Sequence, residues 1–266
     1  MESERRAWAV RGLILLAGAV LAAAGAAAVT GCDRPDDTPR ERVEVIGARP
    51  HDRAAFTEGL EVDGTVLYEG TGLVGESFVR ATELATGAQL ARVDLPAPLF
   101  GEGIARAGDI LWELTWKDGT AIARDPRTLA ERGRASYRGE GWGLCTRGAR
   151  LVMSNGTDTL TFHDPVTFAP TGSVRLTSHH GARLNELDCA ADGSVYANVW
   201  PTDHILRIDP DTGAVRADID ASGLLTPAER AGTDVLNGIA ELPGTDHFLI
   251  TGKNWPTMFE VRFVPA

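Results

Sequence analysis

"FGEGIARAGDILWELTWKDGTAIARDPRT", residues 100–128, contains most of one unit of an internal repeat. Short runs of β-branched and aromatic residues stand between Gly, Asp and Pro, and the stretch has no amphipathic helical pattern. This arrangement predicts short strands joined by tight turns. Two features of the stretch, the Glu-Gly pair near its start and the Asp-Pro-x-Thr turn at its end, recur along the chain.

The threonine turns recur at a nearly constant spacing. Thr86, Thr128, Thr167 and Thr212 are 42, 39 and 45 residues apart, and the last three follow an Asp-Pro pair. One such turn is ordinary hairpin chemistry, but the regular spacing indicates a repeated unit.

A second feature alternates with these turns and defines the fold class. Its copies are Glu58-Gly59-Leu60, Glu102-Gly103-Ile104, Trp142-Gly143-Leu144, Asn185-Glu186-Leu187 and Asn237-Gly238-Ile239. They are 44, 40, 43 and 52 residues apart, which is close to the roughly 40–50 residues of a four-stranded propeller blade. The sequence therefore predicts an all-β fold, a five-bladed β-propeller with four-stranded blades around a central channel, over residues 43–266. The turn chemistry and the shortage of helix formers exclude a helical solenoid.

In a propeller the first strand of each blade lines the channel, so the first residues of the five copies are expected to form a ring near its mouth. Phe100 and Glu102 then face the same end of the channel as Trp116 from the next hairpin, and Trp200 and Lys253 join them from later blades. Aromatic walls, carboxylates, amides and an ammonium group suit a small polar cation with an apolar stem.

The N-terminal segment predicts export. Residues 1–31 carry arginines followed by an apolar run that ends at Val29, which is the pattern of a signal segment. Val29-Thr30-Gly31-Cys32 resembles the bacterial lipobox, so Cys32 is predicted to be lipidated, with an ordinary cleaved signal or an uncleaved anchor as alternatives. The charged residues 32–42 suit a tether. We expect a monomer in the bacterial cell envelope, held at the membrane only by its lipid and facing the periplasm or the exterior.

Charge and cysteine content restrict the partners. The formal net charge is −11, and because residues 1–31 carry three arginines and two glutamates, the remainder has −12. Such a surface repels phosphate backbones, so nucleic acid is not an expected partner. Cys145 and Cys189 form either a disulfide or two buried free thiols. The six histidines lack a recurrent ligand spacing, and we assign no metal and no cofactor.

The motifs around the predicted ring resemble those of one enzyme family. "FTEG" (56–59), "FGEG" (100–103), "LTWK" (114–117), "GWGL" (141–144), "LNEL" (184–187), "NVW" (198–200) and "TGK" (251–253) are similar to motifs of the plant and bacterial glutaminyl-peptide cyclotransferases. The resemblance runs from about residue 43 to 262. It implies a five-bladed propeller acyltransferase, of the aminoacyltransferase class, that converts the N-terminal glutamine of a peptide into pyroglutamate, releases ammonia and uses no metal.

The same resemblance assigns the functional residues. It places the acid/base on Glu102, and the other positions that it marks are Phe56, Glu58, Phe100, Trp116, Trp142, Asn185, Trp200 and Lys253. The α-amine must lose a proton to attack the side-chain carboxamide, and the departing nitrogen must gain one, so a single carboxyl group can serve both steps. Lys253 and Asn185 have the right chemistry to donate to the oxygen that becomes negative. We therefore group Glu102, Lys253 and Asn185 as catalytic and the remaining six as substrate-binding.

Other interpretations stay open at this point. Plant members carry glutamine at the position of Glu58, so this chain brings a second carboxylate that raises one pKa of the pair. A calcium-dependent propeller lactonase or hydrolase would use the oxygens of Glu58, Glu102, Asn185 and Asn237 as ligands, and a non-catalytic peptide-binding propeller would use the same cage. The two asparagines could instead bind backbone between blades, and Glu102 could cap a turn or pair with Lys117. Trp112 is left out of the site.

Overall fold

The computed structural model describes residues 37–266, and the predicted export signal and Cys32 lie outside the described residues. The strands are β1 (Arg40–Pro50), β2 (Thr57–Asp63), β3 (Val66–Thr71), β4 (Phe78–Glu83), β5 (Gln89–Asp94), β6 (Gly101–Ala107), β7 (Ile110–Thr115), β8 (Thr120–Arg124), β9 (Glu131–Ser136), β10 (Leu144–Arg147), β11 (Arg150–Met153), β12 (Thr159–His163), β13 (Pro170–Arg175), β14 (Leu184–Cys189), β15 (Val195–Val199), β16 (His204–Ile208), β17 (Val215–Asp220), β18 (Leu236–Glu241), β19 (His247–Gly252) and β20 (Thr257–Pro265). A four-residue helix, α1 (Pro227–Arg230), lies between β17 and β18. Within residues 37–266, no helix has the length and apolar character needed to span a bilayer.

The strands form sheets that follow the chain order. β2–β5, β6–β9 and β10–β13 each make a four-stranded antiparallel sheet. An eight-stranded sheet has the order β14-β15-β16-β17-β1-β20-β19-β18, so β1 joins two groups of strands. It pairs in parallel with β17 and antiparallel with β20. The predicted all-β class is confirmed.

The first strand begins inside the predicted tether. β1 includes residues 40–42, the last three of the segment assigned as tether, and pairs there with residues 218–220 of β17. Ion pairs accompany this pairing, since Arg40 contacts Asp218 and Arg207 lies 3.0 Å from Glu41. Charged residues that are typical of a solvated linker are therefore part of a strand inside the eight-stranded sheet.

The threonine turns connect the third and fourth strands of four of the groups. Their hydroxyl oxygens accept hydrogen bonds from the amide two residues further along, at 3.2 to 3.4 Å. In three of the turns, the aspartate that precedes the proline also accepts from two backbone amides. The repeat that fixed the period of the sequence is thus a hairpin closed by its own side chains.

The first strands of the groups, β2, β6, β10, β14 and β18, contact one another in a closed circuit. Glycine permits this approach. A Cβ atom on Gly103 would lie 2.6 Å from the carbonyl oxygen of Trp142, and one on Gly143 would lie 2.2 Å from that of Asn185. Gly103 N instead donates to Trp142 O at 2.7 Å. The small residue of the Glu-Gly motif is therefore a packing requirement of the innermost strands.

Five apolar clusters fill the spaces between neighbouring groups of strands. Trp112 lies in one of them, 4.9 Å from Phe168 between ring centroids, and its Nε1 donates to Pro165 O. This places Trp112 in the core, outside the candidate site. A second cluster contains Cys145, whose disulfide to Cys189 joins β10 to β14 with a Cα separation of 5.4 Å. The disulfide alternative is therefore the one observed, and closure of a loop of this length stabilises by about 4 kcal/mol in the chain-entropy account.

Candidate active site

Four of the five ring residues lie at β-bulges in the innermost strands. In β2 the pairing passes from Thr57 to Gly59 and skips Glu58, and equivalent irregularities in β6, β14 and β18 contain Glu102, Asn185 and Asn237. A bulge inserts an extra residue and redirects its side chain. Polar side chains can thus leave the ladder and turn toward one another at the end of the strands.

These side chains open into a cavity of about 530 Å³. All nine residues predicted for the site line it: Phe56, Glu58, Phe100, Glu102, Trp116, Trp142, Asn185, Trp200 and Lys253. The other lining residues are Arg183, Pro201, Asp234 and Val235. Residues that are up to 197 positions apart in the sequence are therefore gathered in one place, as the ring hypothesis requires.

Glu58 is held by two donors at the floor of the cavity. Lys253 Nζ donates to its Oε1 at 2.7 Å, and Asn237 Nδ2 donates to its Oε2 at 3.0 Å. Burial raises the pKa of Glu58 to about 7 despite the opposing effect of the Lys253 ammonium. Asn237 also donates to Thr57 O at 3.0 Å, so it joins the backbone of two groups and orients Glu58 at the same time.

Glu102 faces Glu58 and lacks a compensating cation of its own. Burial, followed by the negative charge of Glu58, raises the pKa of Glu102 well above its ordinary range. A hydrogen bond between the two carboxyl groups lowers the pKa of Glu58 and raises that of Glu102, so the two glutamates titrate as a pair. Lys117, the alternative partner considered for Glu102, instead stacks on Trp116 with Nζ 3.6 Å from the ring centroid.

Two buried oxygen atoms in the cavity have no hydrogen-bond partner within residues 37–266. They are Oε2 of Glu102 and Oδ1 of Asn185. Both residues are at least 96% buried, and an unsatisfied buried acceptor costs about 1–3 kcal/mol. A bound group that supplies N–H donors would remove this cost, so the site is arranged to receive an amine or a carboxamide.

The aromatic wall is fixed by a residue that the sequence analysis missed. Glu140 Oε2 accepts from Trp116 Nε1 at 2.8 Å and from Trp142 Nε1 at 2.9 Å. Trp116 also packs against Phe100, with ring centroids 5.4 Å apart. The available signal was local, because "GEGWGL" (139–144) places an acidic residue two positions before a predicted pocket tryptophan. One carboxylate thus holds two rings from different groups of strands.

The surroundings of the four residues considered as calcium ligands show whether they could bind a metal ion. No group of three or more His, Cys, Asp or Glu side chains in residues 37–266 is placed to hold a metal ion. Of the four calcium ligands considered, Glu58 already has an ammonium at 2.7 Å. A positive charge there repels a second cation, so this donor set does not fit calcium.

The fold and the site define a class of protein: an all-β chain whose innermost strands place buried carboxyl groups with raised pKa values beside an aromatic pocket, as is typical of an active site. A family model described as glutamine cyclotransferase matches residues 14–263. A glutaminyl-peptide cyclotransferase of Arabidopsis thaliana is 38% identical over 232 residues, which is 84% of this chain and 72% of the relative. The crystal structure of Myxococcus xanthus glutaminyl cyclase aligns with a TM-score of 0.76 and 36% identity over 86% of this chain and all of that one.

The chain therefore belongs to the glutamine cyclotransferase family. The predicted family resemblance and the predicted enzyme class, a glutaminyl-peptide cyclotransferase, are confirmed by these matches.

Proposed function

We propose that this enzyme cyclises the N-terminal glutamine of peptides to pyroglutamate with release of ammonia, and that Glu102 is its general acid and base. The observation that carries the proposal is the state of Glu102: a buried carboxyl group with a raised pKa and an unpartnered Oε2 at the cavity wall. Such a group holds a proton near neutral pH and can both give and take it.

The proton count is the same in two forms of the complex. A protonated Glu102 with a neutral α-amine is equivalent to a charged Glu102 with an ammonium, since one proton moves between them. The neutral amine attacks the γ-carbonyl carbon while Glu102 is protonated, and a C–N bond forms. Glu102 gives its proton to the carboxamide nitrogen as that C–N bond breaks and ammonia leaves. The resulting Glu102 carboxylate takes one proton from the attacking nitrogen, which leaves pyroglutamate and a protonated Glu102.

Lys253 and Asn185 stabilise the reacting groups. The carbonyl oxygen becomes negative during attack, and an ammonium fixed in a buried site stabilises that charge without reorganisation. Lys253 uses one N–H for Glu58 and stands 4.6 Å from the Phe56 ring centroid, so its orientation is fixed. Asn185 Oδ1 accepts an N–H from the substrate amine or carboxamide. The tryptophan and phenylalanine rings hold the glutamine side chain folded back over its amine, which removes much of the entropic barrier.

Architecture and location are part of the proposal. We propose that the five groups of strands are the blades of a five-bladed propeller, supported by the closed circuit of first strands and by the five interfacial clusters. We also propose a monomer that is exported by residues 1–31 and anchored through a lipid on Cys32. Mass spectrometry of the membrane fraction tests the lipid, and light scattering of the detergent-extracted protein tests the monomer.

The reaction is tested by measuring ammonia release from a glutamine-initiated peptide with and without a chelator. Glu102→Gln is expected to lower kcat by roughly 10²–10⁴-fold, whereas Glu76→Gln, at an exposed position on the β3–β4 connection, should leave it unchanged. Loss of release on chelation would favour the calcium hydrolase. Absence of release by folded wild-type protein, at any pH between about 6 and 9, would favour the binding module.

A further inference from the structure

Arg183 is a cation at the cavity that the proposed chemistry does not use. It directly precedes β14, and its carbonyl oxygen accepts from Trp200 N at 2.9 Å, which fixes the backbone. The guanidinium carbon lies 4.0 Å from the Trp200 ring centroid and 5.2 Å from that of Trp142. The side chain is exposed, so it stands at the rim while Asn185 is buried below it.

The guanidinium N–H groups have no acceptor within residues 37–266. The side chain makes ring contacts there, but no hydrogen bond and no ion pair. The other cation of the cavity, Lys253, is already bound to Glu58. Arg183 is therefore the cation of the lining whose donors are available to a ligand.

Stacking gives those donors a direction. A guanidinium that lies on an indole ring presents its N–H edge in a fixed plane, and that fork matches the two oxygens of a carboxylate. Arg183 and Asn185 are two residues apart, about 7 Å along an extended chain. When the glutamine carboxamide or amine is at Asn185, a group at this distance belongs to the residue that follows the glutamine.

We propose that Arg183 is a specificity-determining residue that binds a carboxylate on the second residue of the substrate, which follows the N-terminal glutamine. The carboxylate is either the free C-terminus of a dipeptide or the side chain of an acidic second residue. This inference rests on the proposed cyclotransferase function and adds a substrate subclass to it. The cavity lining also contains an acidic residue, Asp234, which would repel a carboxylate. Asp234 lies on the Glu58 side of the cavity, where its Oδ1 accepts from Val235 N at 2.7 Å.

The test compares kcat/KM for four probe peptides in two pairs. Glutaminyl-alanine carries a C-terminal carboxylate, and its neutral counterpart is glutaminyl-alanine amide. Glutaminyl-glutamate α-amide has a blocked C-terminus and a free side-chain carboxylate, and its neutral counterpart is glutaminyl-glutamine amide. Wild-type protein is expected to prefer at least one carboxylate probe over its neutral counterpart by roughly tenfold, and added salt should reduce the preference. The probe that shows the preference identifies which carboxylate is bound.

Variants separate binding from packing. Arg183→Gln is expected to abolish the preference while neutral-probe turnover persists, and Arg183→Lys should keep part of it because it retains the charge without the fork. Arg92→Gln is the matched control, since Arg92 also stacks on a ring, 3.8 Å from the Phe78 centroid, on outer strand β5. Equal preferences in wild type and Arg183→Gln would overturn the inference. Failure of wild type to turn over any of the four probes would instead overturn the proposed function.

Discussion

Glu58 and Glu69 lie on neighbouring strands of one sheet, and both are at least 98% buried, yet their pKa values are displaced in opposite directions. Glu69 accepts hydrogen bonds at 2.8 Å from His51 Nε2, Thr57 Oγ1 and Arg80 Nε. Burial alone would raise the pKa of Glu69, but these partners lower it to about 2. Glu58 has one ammonium, one amide and a second carboxyl group, and burial raises its pKa to about 7.

The difference shows that the number of fixed donors decides the charge state of a buried carboxyl group. His51 makes the contrast sharper, because both of its ring nitrogens face acceptors, Trp255 O at 2.8 Å and Glu69. Burial lowers the pKa of His51, but the hydrogen bond and charge of Glu69 outweigh it and raise the pKa. The Glu69 cluster is therefore a completed ionic network, whereas the Glu58–Glu102 pair has two carboxyl groups and one ammonium. In the proposed function, the substrate amine supplies the missing positive charge.

The largest expected effect comes from breaking the completed network. Glu69→Gln removes the buried carboxylate that pairs with His51 and Arg80, and Arg80 keeps only the partly exposed Asp52 at 3.0 Å, so we expect the free energy of unfolding to fall by about 3–5 kcal/mol. Activity per folded molecule should stay close to wild type, because no atom of Glu69 lines the cavity. Urea unfolding and ammonia release measure the two quantities. Glu76→Gln serves as the exposed control, and a loss of activity without a loss of stability would contradict the comparison.

A second expected effect is a difference in the pH dependence of stability. The pKa of Glu69 is lowered from 4.5 to about 2, so its contribution is present above pH 4.5 and is lost as the pH falls toward 2. The pKa of Glu58 is raised from 4.5 to about 7, so its contribution is present below pH 4.5 and is lost as the pH rises through 7. Unfolding free energies measured across this range should lose part of their acid slope in Glu69→Gln and part of their neutral slope in Glu58→Gln. The same slope change in both variants would contradict the assignment.

The sequence predicted the repeat period of the fold and nine of the residues that line the cavity. It did not predict the structural features that bring those residues together. The Glu-Gly repeat identified the innermost strands because close backbone packing leaves a glycine in the sequence. It did not indicate the bulges that turn Glu58 and Glu102 toward each other, since a bulge appears only in the pairing with the next strand. Glu140 and Arg183 were missed for a similar reason: each acts on a tryptophan that reaches it through the fold, and a lone charged residue carries no spacing signal.

Cys145 and Cys189 illustrate the same limit. Their separation of 44 residues is close to the step of 43 between the two motif copies, so the two cysteines fall on adjacent first strands. The sequence left a disulfide and two free thiols open because a spacing does not fix the distance between strands. The structure places the Cα atoms 5.4 Å apart, within the range that a disulfide requires.

The smallest expected effect, and the one most specific to this chain, is a shift in the pH profile of activity. Glu58→Gln removes the like charge that, after burial, most raises the pKa of Glu102, and it leaves Lys253 free to interact with Glu102 instead. The pKa of Glu102 should therefore fall, and the limb of the kcat/KM profile that belongs to the carboxyl pair should move to lower pH. The limb of the substrate amine should remain near its ordinary pKa of about 7.7–8.0.

Two substrates whose α-amines differ in pKa distinguish the limbs. The amine limb follows the substrate in both wild type and Glu58→Gln, whereas the carboxyl limb follows the enzyme. If Glu58 acts only as a packing residue, the variant lowers kcat/KM equally at every pH and neither limb moves. A carboxyl limb that moves to higher pH would reverse the sign of the interaction and show that Glu58 does not hold the proton on Glu102. A shift to lower pH means that the two glutamates share their titration, which is what separates this buried pair from the fully paired Glu69.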